Sequence, residues 1–341
     1  MLDARARSRF TKNRAAIVGG GIVVALVAFA LLAPMVSPHD PLTSDFVHGV
    51  TASMMPAGPS ARFPFGVDRL FRDELTRLAC GARLSLMIAI ASTAIASGIG
   101  AIVGILAGYY EGSAGVRVPW GIAGALVAGV AFVIAGYPGA AIIVVAISVG
   151  LRIVAQITAF EWLKTGPRLN ADTALMRIVD VGLSFPFLLL VIAVGAALDE
   201  TSSRTILVTL GLTGWLGTAR IIRAKTMQVR SLDFVLASRA LGQSTHTILF
   251  RHVLPNVAGP LVVIGTVSVA QMIIAESVLS YLGAGISPPT PTLGRMLFEG
   301  WDYIQAAPWL VVAPGGAILL AVFGFNLLGE GLRDALDPKE G

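Results

Sequence analysis

The chain has 341 residues, 55% of them hydrophobic and only 13% charged, with a mean hydropathy of +0.79. That composition excludes an ordinary soluble domain and points to a polytopic membrane protein. The net charge of +5 and isoelectric point near 9.7 would suit nucleic acid, but the charges bracket apolar runs, so no nucleic-acid role is expected. The single cysteine, Cys80, rules out an internal disulfide and a cysteine metal cluster. His39, His48, His246 and His252 lack the i, i+4 spacing with glutamate of a zinc protease, so no metal site is expected. There is no Walker A sequence and no GxGxxG, and no catalytic set lies within the apolar runs.

In chain order, Arg5, Arg7, Arg9, Lys12 and Arg14 precede an uncharged run, Ala15 to Val36. At about 1.5 Å per residue this run covers the hydrocarbon core, roughly 30 Å. A secretory signal peptide has the same order of parts. The length of the run and the position of Pro34 favour a retained anchor over 1–36, with a cytoplasmic N-terminus. Residues 37–82 are proline-rich and of mixed charge, and alternation puts them on the outer face. Two readings are weighed equally for their arginines: a gating role, or an interfacial helix meeting lipid headgroups. Leu84 to Gly108 is a second span, rich in small residues suited to close helix packing.

Trp120 to Gly136 and Gly139 to Val154 are apolar runs joined by Tyr137-Pro138, which reads as a helical hairpin within about 113–170. Gly124 with Ala128 and Ala125 with Gly129 are small-residue pairs there. Residues 155–175 read as a cytoplasmic linker, with an interfacial helix around Phe160-Glu161-Trp162. Met176 to Leu198 is the next span; Pro186 kinks it and is a weak pointer to a translocation pathway. Asp180 falls near its cytoplasmic end. Thr205 to Ile222 spans inward and Val257 to Tyr281 outward. The latter holds Gln271 and Glu276, further pathway candidates, because an ionisable residue in a span is costly. A structural hydrogen-bonding role for Glu276 is weighed slightly above substrate contact. Pro308 to Leu328 returns inward.

Between two of these spans lies Leu232 to Asn256, the longest polar and basic interruption. Leu232, Val235, Leu236 and Ala240 recur at helical spacing. Gly242 breaks the pattern, and Ser244 suits the N-cap of a second short helix carrying Ile248, Leu249 and His252. Pro255 disfavours the α conformation for Leu254 and is expected to close that helix. The pattern specifies two short amphipathic helices with a glycine elbow, a docking element in the cytoplasmic segment 223–256.

This text, ASRALG followed by FRHVLPN, resembles the EAA loop of ABC importer permease subunits, in the dipeptide, oligopeptide and nickel branch. The resemblance carries the ATPase-coupling role onto Ala237, Ser238, Arg239, Ala240, Leu241, Gly242, Val253, Leu254, Pro255 and Asn256. The family's usual glutamate is Leu236 here, and its second alanine is Ser238. Phe65-Gly66-Val67-Asp68, with Arg72-Asp73 and Gly81-Ala82-Arg83, resembles the stretch before the second span of the same branch. The family usually has threonine and glycine where this chain has Val67 and Phe71. The loop GAGISPPTPTLGRML also resembles the family's. The 113–170 hairpin is absent from the family plan, and two added spans leave the later topology unchanged.

The resemblance implies an all-α fold: a six-span core made of the first anchor and five spans within 83–341, with the inserted hairpin making about eight spans. Eighteen of the 25 Lys and Arg then fall inside and seven outside, with both termini cytoplasmic. It further implies a second, homologous permease subunit, two ABC ATPase subunits that carry ATP and magnesium, and an extracytoplasmic substrate-binding protein. This chain itself binds no cofactor and is a transport subunit of the bacterial inner membrane. The implied cargo is a dipeptide or oligopeptide, with nickel or another small solute as alternatives. An ion-coupled secondary transporter is the rival from another class; it predicts paired broken helices and midplane acidic groups.

Overall fold

The computed structural model describes residues 9–37, 39–112, 116–117, 168–169, 171–197 and 202–336. The chain divides into two compact units, one of Met1–Ile105 with Val179–Gly341, the other Leu106–Ile178. The expected hairpin runs, their small-residue pairs and the Phe160–Trp162 helix lie outside the described residues. At the feet of that segment, β1 (Val116–Arg117) pairs antiparallel with β2 (Arg168–Leu169), Val116 opposite Leu169. The chain therefore leaves and returns at adjoining points.

In the first unit, α1 (Arg14–Val36) begins at Asn13, whose side chain accepts from the Ala16 N–H at 3.1 Å. α2 (Glu74–Tyr109) starts ten residues before the apolar run that announces it. The Asp73 carboxylate accepts from the Thr76 N–H at 3.1 Å, capping a polar first turn that hydropathy alone does not show.

The expected kink at Pro186 is a break. α3 (Ala171–Ser184) and α4 (Phe187–Ala197) meet at 94°. Proline lacks the N–H that would continue the ladder, and Ser184 Oγ further loads it by donating to the Asp180 carbonyl at 2.8 Å.

α5 (Ser203–Arg230) is capped by Ser202 and extends past the apolar run to the docking element. That element comprises α6 (Asp233–Ala240), α7 (Thr245–Ile248) and a π turn (Leu249–Val253), which leads into α8 (Leu254–Tyr281). Pro255 does not end the second short helix. Leu254 is helical, at φ −55° and ψ −45°, and its N–H reaches back five residues to the Leu249 carbonyl. The wider π turn accommodates the proline ring, and proline is tolerated in the first turn of α8 because its missing N–H is an orphan there. Asn256 Nδ2 donates to the His252 carbonyl at 2.7 Å, recovering an acceptor.

α9 (Leu293–Trp301) is a short helix, and α10 (Trp309–Leu336) closes the described chain. Among the described residues, five helices are long and apolar enough to cross a membrane, or six counting α3–α4 as one broken span. α10 packs along α1 and α8. The approach to α1 is close at Gly19, where a Cβ would lie 2.7 Å from Leu327 Cβ. α2 and α5 approach equally closely at Gly100 and Gly104. The buried core joins α2, α5, α8 and α10 through Leu86, Leu210, Ile273 and Phe325.

Candidate functional site

The docking element is built around Gly242, at φ +72°, a conformation costly to any residue with a Cβ. Its N–H donates to the Arg239 carbonyl at 3.0 Å, and the Gln243 N–H donates to that of Ser238 at 3.2 Å. This pair of bonds is a Schellman motif, which ends α6 and turns the chain into α7. Ser244 caps α7 by accepting from the Thr247 N–H at 3.3 Å. Ser238 Oγ donates to the Phe234 carbonyl at 2.8 Å and shares a hydrogen bond with His252 Nε2 at 3.2 Å. The first short helix is thereby tied to the π turn.

Val235, Ile248 and Val253 are buried and anchor the element. Leu241 is 81% exposed, Phe250 58% and Leu236 48%, so the outward face is apolar. Arg239 and Arg251 stand among these residues. Of the ten residues carried over from the resemblance, Ala237 to Gly242 occupy the end of α6 and the elbow. Val253 to Asn256 form the joint with α8.

A second feature lies near the middle of the long helices. A cavity of about 420 Å³, open on one side where Phe185 is 58% exposed, is lined by the α3–α4 break, α5 and α8. Phe185 and Phe187 flank Pro186 on one wall; Leu216 and Gly217 come from α5; Gln271 and Met272 come from α8. Its polar groups are Thr213, Ser268 and Gln271, and no charged side chain lines it. Gln271 therefore stands on the cavity wall, and Pro186 positions two of its aromatic residues. Asp180 and Arg220 form an ion pair one helical turn beyond Leu183 and Gly217, at one rim.

Glu276 is not on that wall. It is fully buried, and its Oε1 accepts from Ser280 Oγ at 2.8 Å, with the Ser85 and Thr292 hydroxyls also within reach.

Within residues 37–82, two arginines pack inward against carboxylates rather than lying exposed. Arg72 and Arg77 are buried. Arg72 Nη2 lies 2.5 Å from Asp68 Oδ2, and Arg77 Nη2 lies 3.1 Å from Glu299 Oε2. Arg69 and Arg295 also reach Glu299, at 3.8 and 3.1 Å. Glu299, the shared partner, carries no signal in the sequence. Its pairing with Arg77 joins positions more than two hundred residues apart, which no local spacing reveals.

The profile of the family described as "Binding-protein-dependent transport system inner membrane component" matches residues 162–340. The chain belongs to this family. The profile of the "N-terminal TM domain of oligopeptide transport permease C" matches residues 4–50. The permease is 31% identical to the oligopeptide transport system permease protein OppC of Bacillus subtilis, over 97% of this chain and 88% of that one. It is 34% identical to the di/tripeptide transport system permease protein DppC of Pseudomonas aeruginosa, over 97% and 90%. It is 32% identical to the glutathione transport system permease protein GsiD of Pectobacterium atrosepticum, over 97% and 89%. It is therefore an ABC importer permease of the peptide branch, a multi-pass membrane protein and a transport subunit. Neither family profile covers residues 51–161, where the hairpin runs fall.

Proposed function

We propose that this permease forms, with a second homologous permease subunit, the membrane pathway of an ATP-driven importer of dipeptides or oligopeptides. An extracytoplasmic binding protein delivers the cargo. Two ABC ATPase subunits bind and hydrolyse ATP with magnesium, and this chain binds no cofactor of its own. Both termini lie in the cytoplasm, and the 113–170 hairpin brings the spans to eight. Residues Ala237 to Gly242 and Val253 to Asn256 transmit ATPase closure to α5 and α8. Pro186, Gln271 and the cavity they border belong to the pathway; Glu276 supports it from within the core.

The observation that carries this reading is the Schellman elbow at Gly242, which holds an apolar outward face rigidly between two long helices. Motion imposed on that face is delivered to both. With Leu236 where the family usually has glutamate, contact with the ATPase is made through apolar packing. The test is co-purification of the ATPases with wild-type protein and with Gly242→Pro, after checking equal membrane insertion. Proline fixes φ near −65° and cannot adopt the elbow. Loss of the ATPases from the variant alone is expected. Equal retention would remove the loop from the coupling role and favour an ion-driven transporter.

A further inference from the structure

The cavity between the α3–α4 break, α5 and α8 has a definite chemistry. We propose that it receives an apolar side chain of a short peptide cargo, with Gln271 bonding the peptide backbone, so that this subunit selects uncharged side chains. The inference rests on the peptide-importer reading and goes beyond it by naming the cargo's side-chain class.

Four observations carry it. The volume, about 420 Å³, falls in the range of small-molecule sites and suits a short peptide. The site lies halfway along α5: Gly217 is about 21 Å along the axis from Ser203, half the length of that 28-residue helix. The wall is apolar apart from Thr213, Ser268 and Gln271. Thr213 Oγ1 already donates to the Thr209 carbonyl at 2.8 Å; of the other two polar groups, the Gln271 amide is the one whose carbonyl and NH2 match both the donor and the acceptor of a peptide bond.

A lysine or glutamate side chain laid against this wall meets no charged partner, whereas an apolar one covers apolar surface. The charges that border the cavity, Asp180 and Arg220, already neutralise each other at the rim. They leave the pocket itself without a fixed field.

Gly217 gives a clean probe. A Cβ built there meets nothing within 4 Å, so its hydrogen atoms mark a gap in the α5 wall that opens on the cavity. Gly217→Leu fills the pocket without a clash at its own helix.

The experiment uses the whole importer, with its partner subunits and binding protein, in vesicles supplied with ATP. Uptake of glycylphenylalanine and of diglycine is measured at saturating cargo for wild type, Gly217→Ala and Gly217→Leu. We expect Gly217→Leu to lower glycylphenylalanine uptake by about tenfold or more, the scale on which pocket volume discriminates. Glycylphenylalanine uptake should fall at least about tenfold further than diglycine uptake, and Gly217→Ala should lie between. An equal fall for both peptides would assign Gly217 to helix packing and overturn the inference. No change for either would remove the cavity from the path and overturn it as well. In both cases the wild type still imports, so the peptide-importer reading stands. If the wild type imports neither peptide while hydrolysing ATP, the peptide reading itself falls, and this inference with it.

Discussion

Arg77, in the first turn of α2, and Glu299, in α9, meet at 3.1 Å although 222 residues separate them, and both side chains are almost wholly buried. Asp68 lies against the other side of Arg77, 3.1 Å from Nε. The 37–73 segment is thus pinned to both α2 and α9 by charge held away from water. Removing one member of a buried pair strands its partner, which costs roughly 3–5 kcal/mol. Arg77→Met is therefore expected to lower the melting temperature of the detergent-solubilised permease markedly. Adding Glu299→Leu should give a total loss that differs from the sum of the two single losses, because the two side chains touch and share partners. Strictly additive losses in that double-mutant cycle would contradict a coupled network.

Gly242→Ala should be milder than the proline variant. An alanine at φ +72° costs about 1–2 kcal/mol in the left-handed region, so retention of the ATPases should weaken by roughly tenfold. Gly242→Asn should hold them nearly as well as wild type, since asparagine visits that region more readily. If alanine and asparagine behave alike, the backbone conformation is not what the partner requires.

The docking element was legible because everything it uses is local: helical spacing around Val235, a glycine after Leu241 and a cap at Ser244. Among the described residues, the five long apolar helices and the broken α3–α4 pair fall where hydropathy puts spans. Three things were not legible. Helix α2 begins at Glu74 because Asp73 caps it, and its polar first turn carries no hydropathy signal. The sharp break at Pro186 depends on packing as well as on the proline. The third is Phe71, at a position where the branch usually has glycine. The structure holds it at φ +60° with its ring edge-on to Phe46, centroids 5.6 Å apart. The glycine-like backbone persists under a bulky side chain because the Phe71 N–H and carbonyl are both engaged, with Asp68 and Asp45.

Phe71→Gly should accordingly change stability little. Relief of roughly 1–2 kcal/mol of strain is offset by the lost aromatic contact, about 0.5–1.5 kcal/mol, and by glycine's extra freedom in the unfolded chain. Phe71→Val should be clearly destabilising, since a β-branched residue fits that region worst. Thermal melts of the two variants compare them directly; a stable valine variant would show that the turn relaxes to another conformation.

Asp45 gives the 37–73 segment a pH dependence. The His48 N–H, at 2.9 Å, holds the Asp45 carboxylate below its ordinary range, helped by the Val47 N–H at 3.1 Å. A carboxylate lowered in the folded state stabilises it at pH above the unfolded value, and that contribution is lost as pH falls through the folded value. Hydrogen exchange at residues 45–50 should therefore accelerate as pH drops below about 4, after correction for intrinsic rates. Asp45→Asn keeps an acceptor oxygen but not the charge, and its corrected rates should be flat across that window. Parallel curves for the two proteins would assign the opening to other groups.

Glu276 decides between support and contact. Its carboxyl lies fully buried where α8, the Ser85 turn of α2 and Thr292 before α9 converge, accepting from Ser280 Oγ at 2.8 Å. Ser85 Oγ in turn accepts from the Leu293 N–H at 3.4 Å. A side chain of the same shape preserves this junction; a truncated one leaves a cavity and several hydroxyls without their acceptor. Glu276→Gln is therefore expected to melt within about 1 kcal/mol of wild type and to import at a similar rate, whereas Glu276→Ala should lose roughly 2–4 kcal/mol. The informative outcome is a glutamine variant of wild-type stability whose import falls more than about tenfold, since a loss of that size is some 1.4 kcal/mol with no structural counterpart. It would mean that the carboxylate's charge or proton takes part in the transport cycle, and the burial seen here would then describe one stage of that cycle.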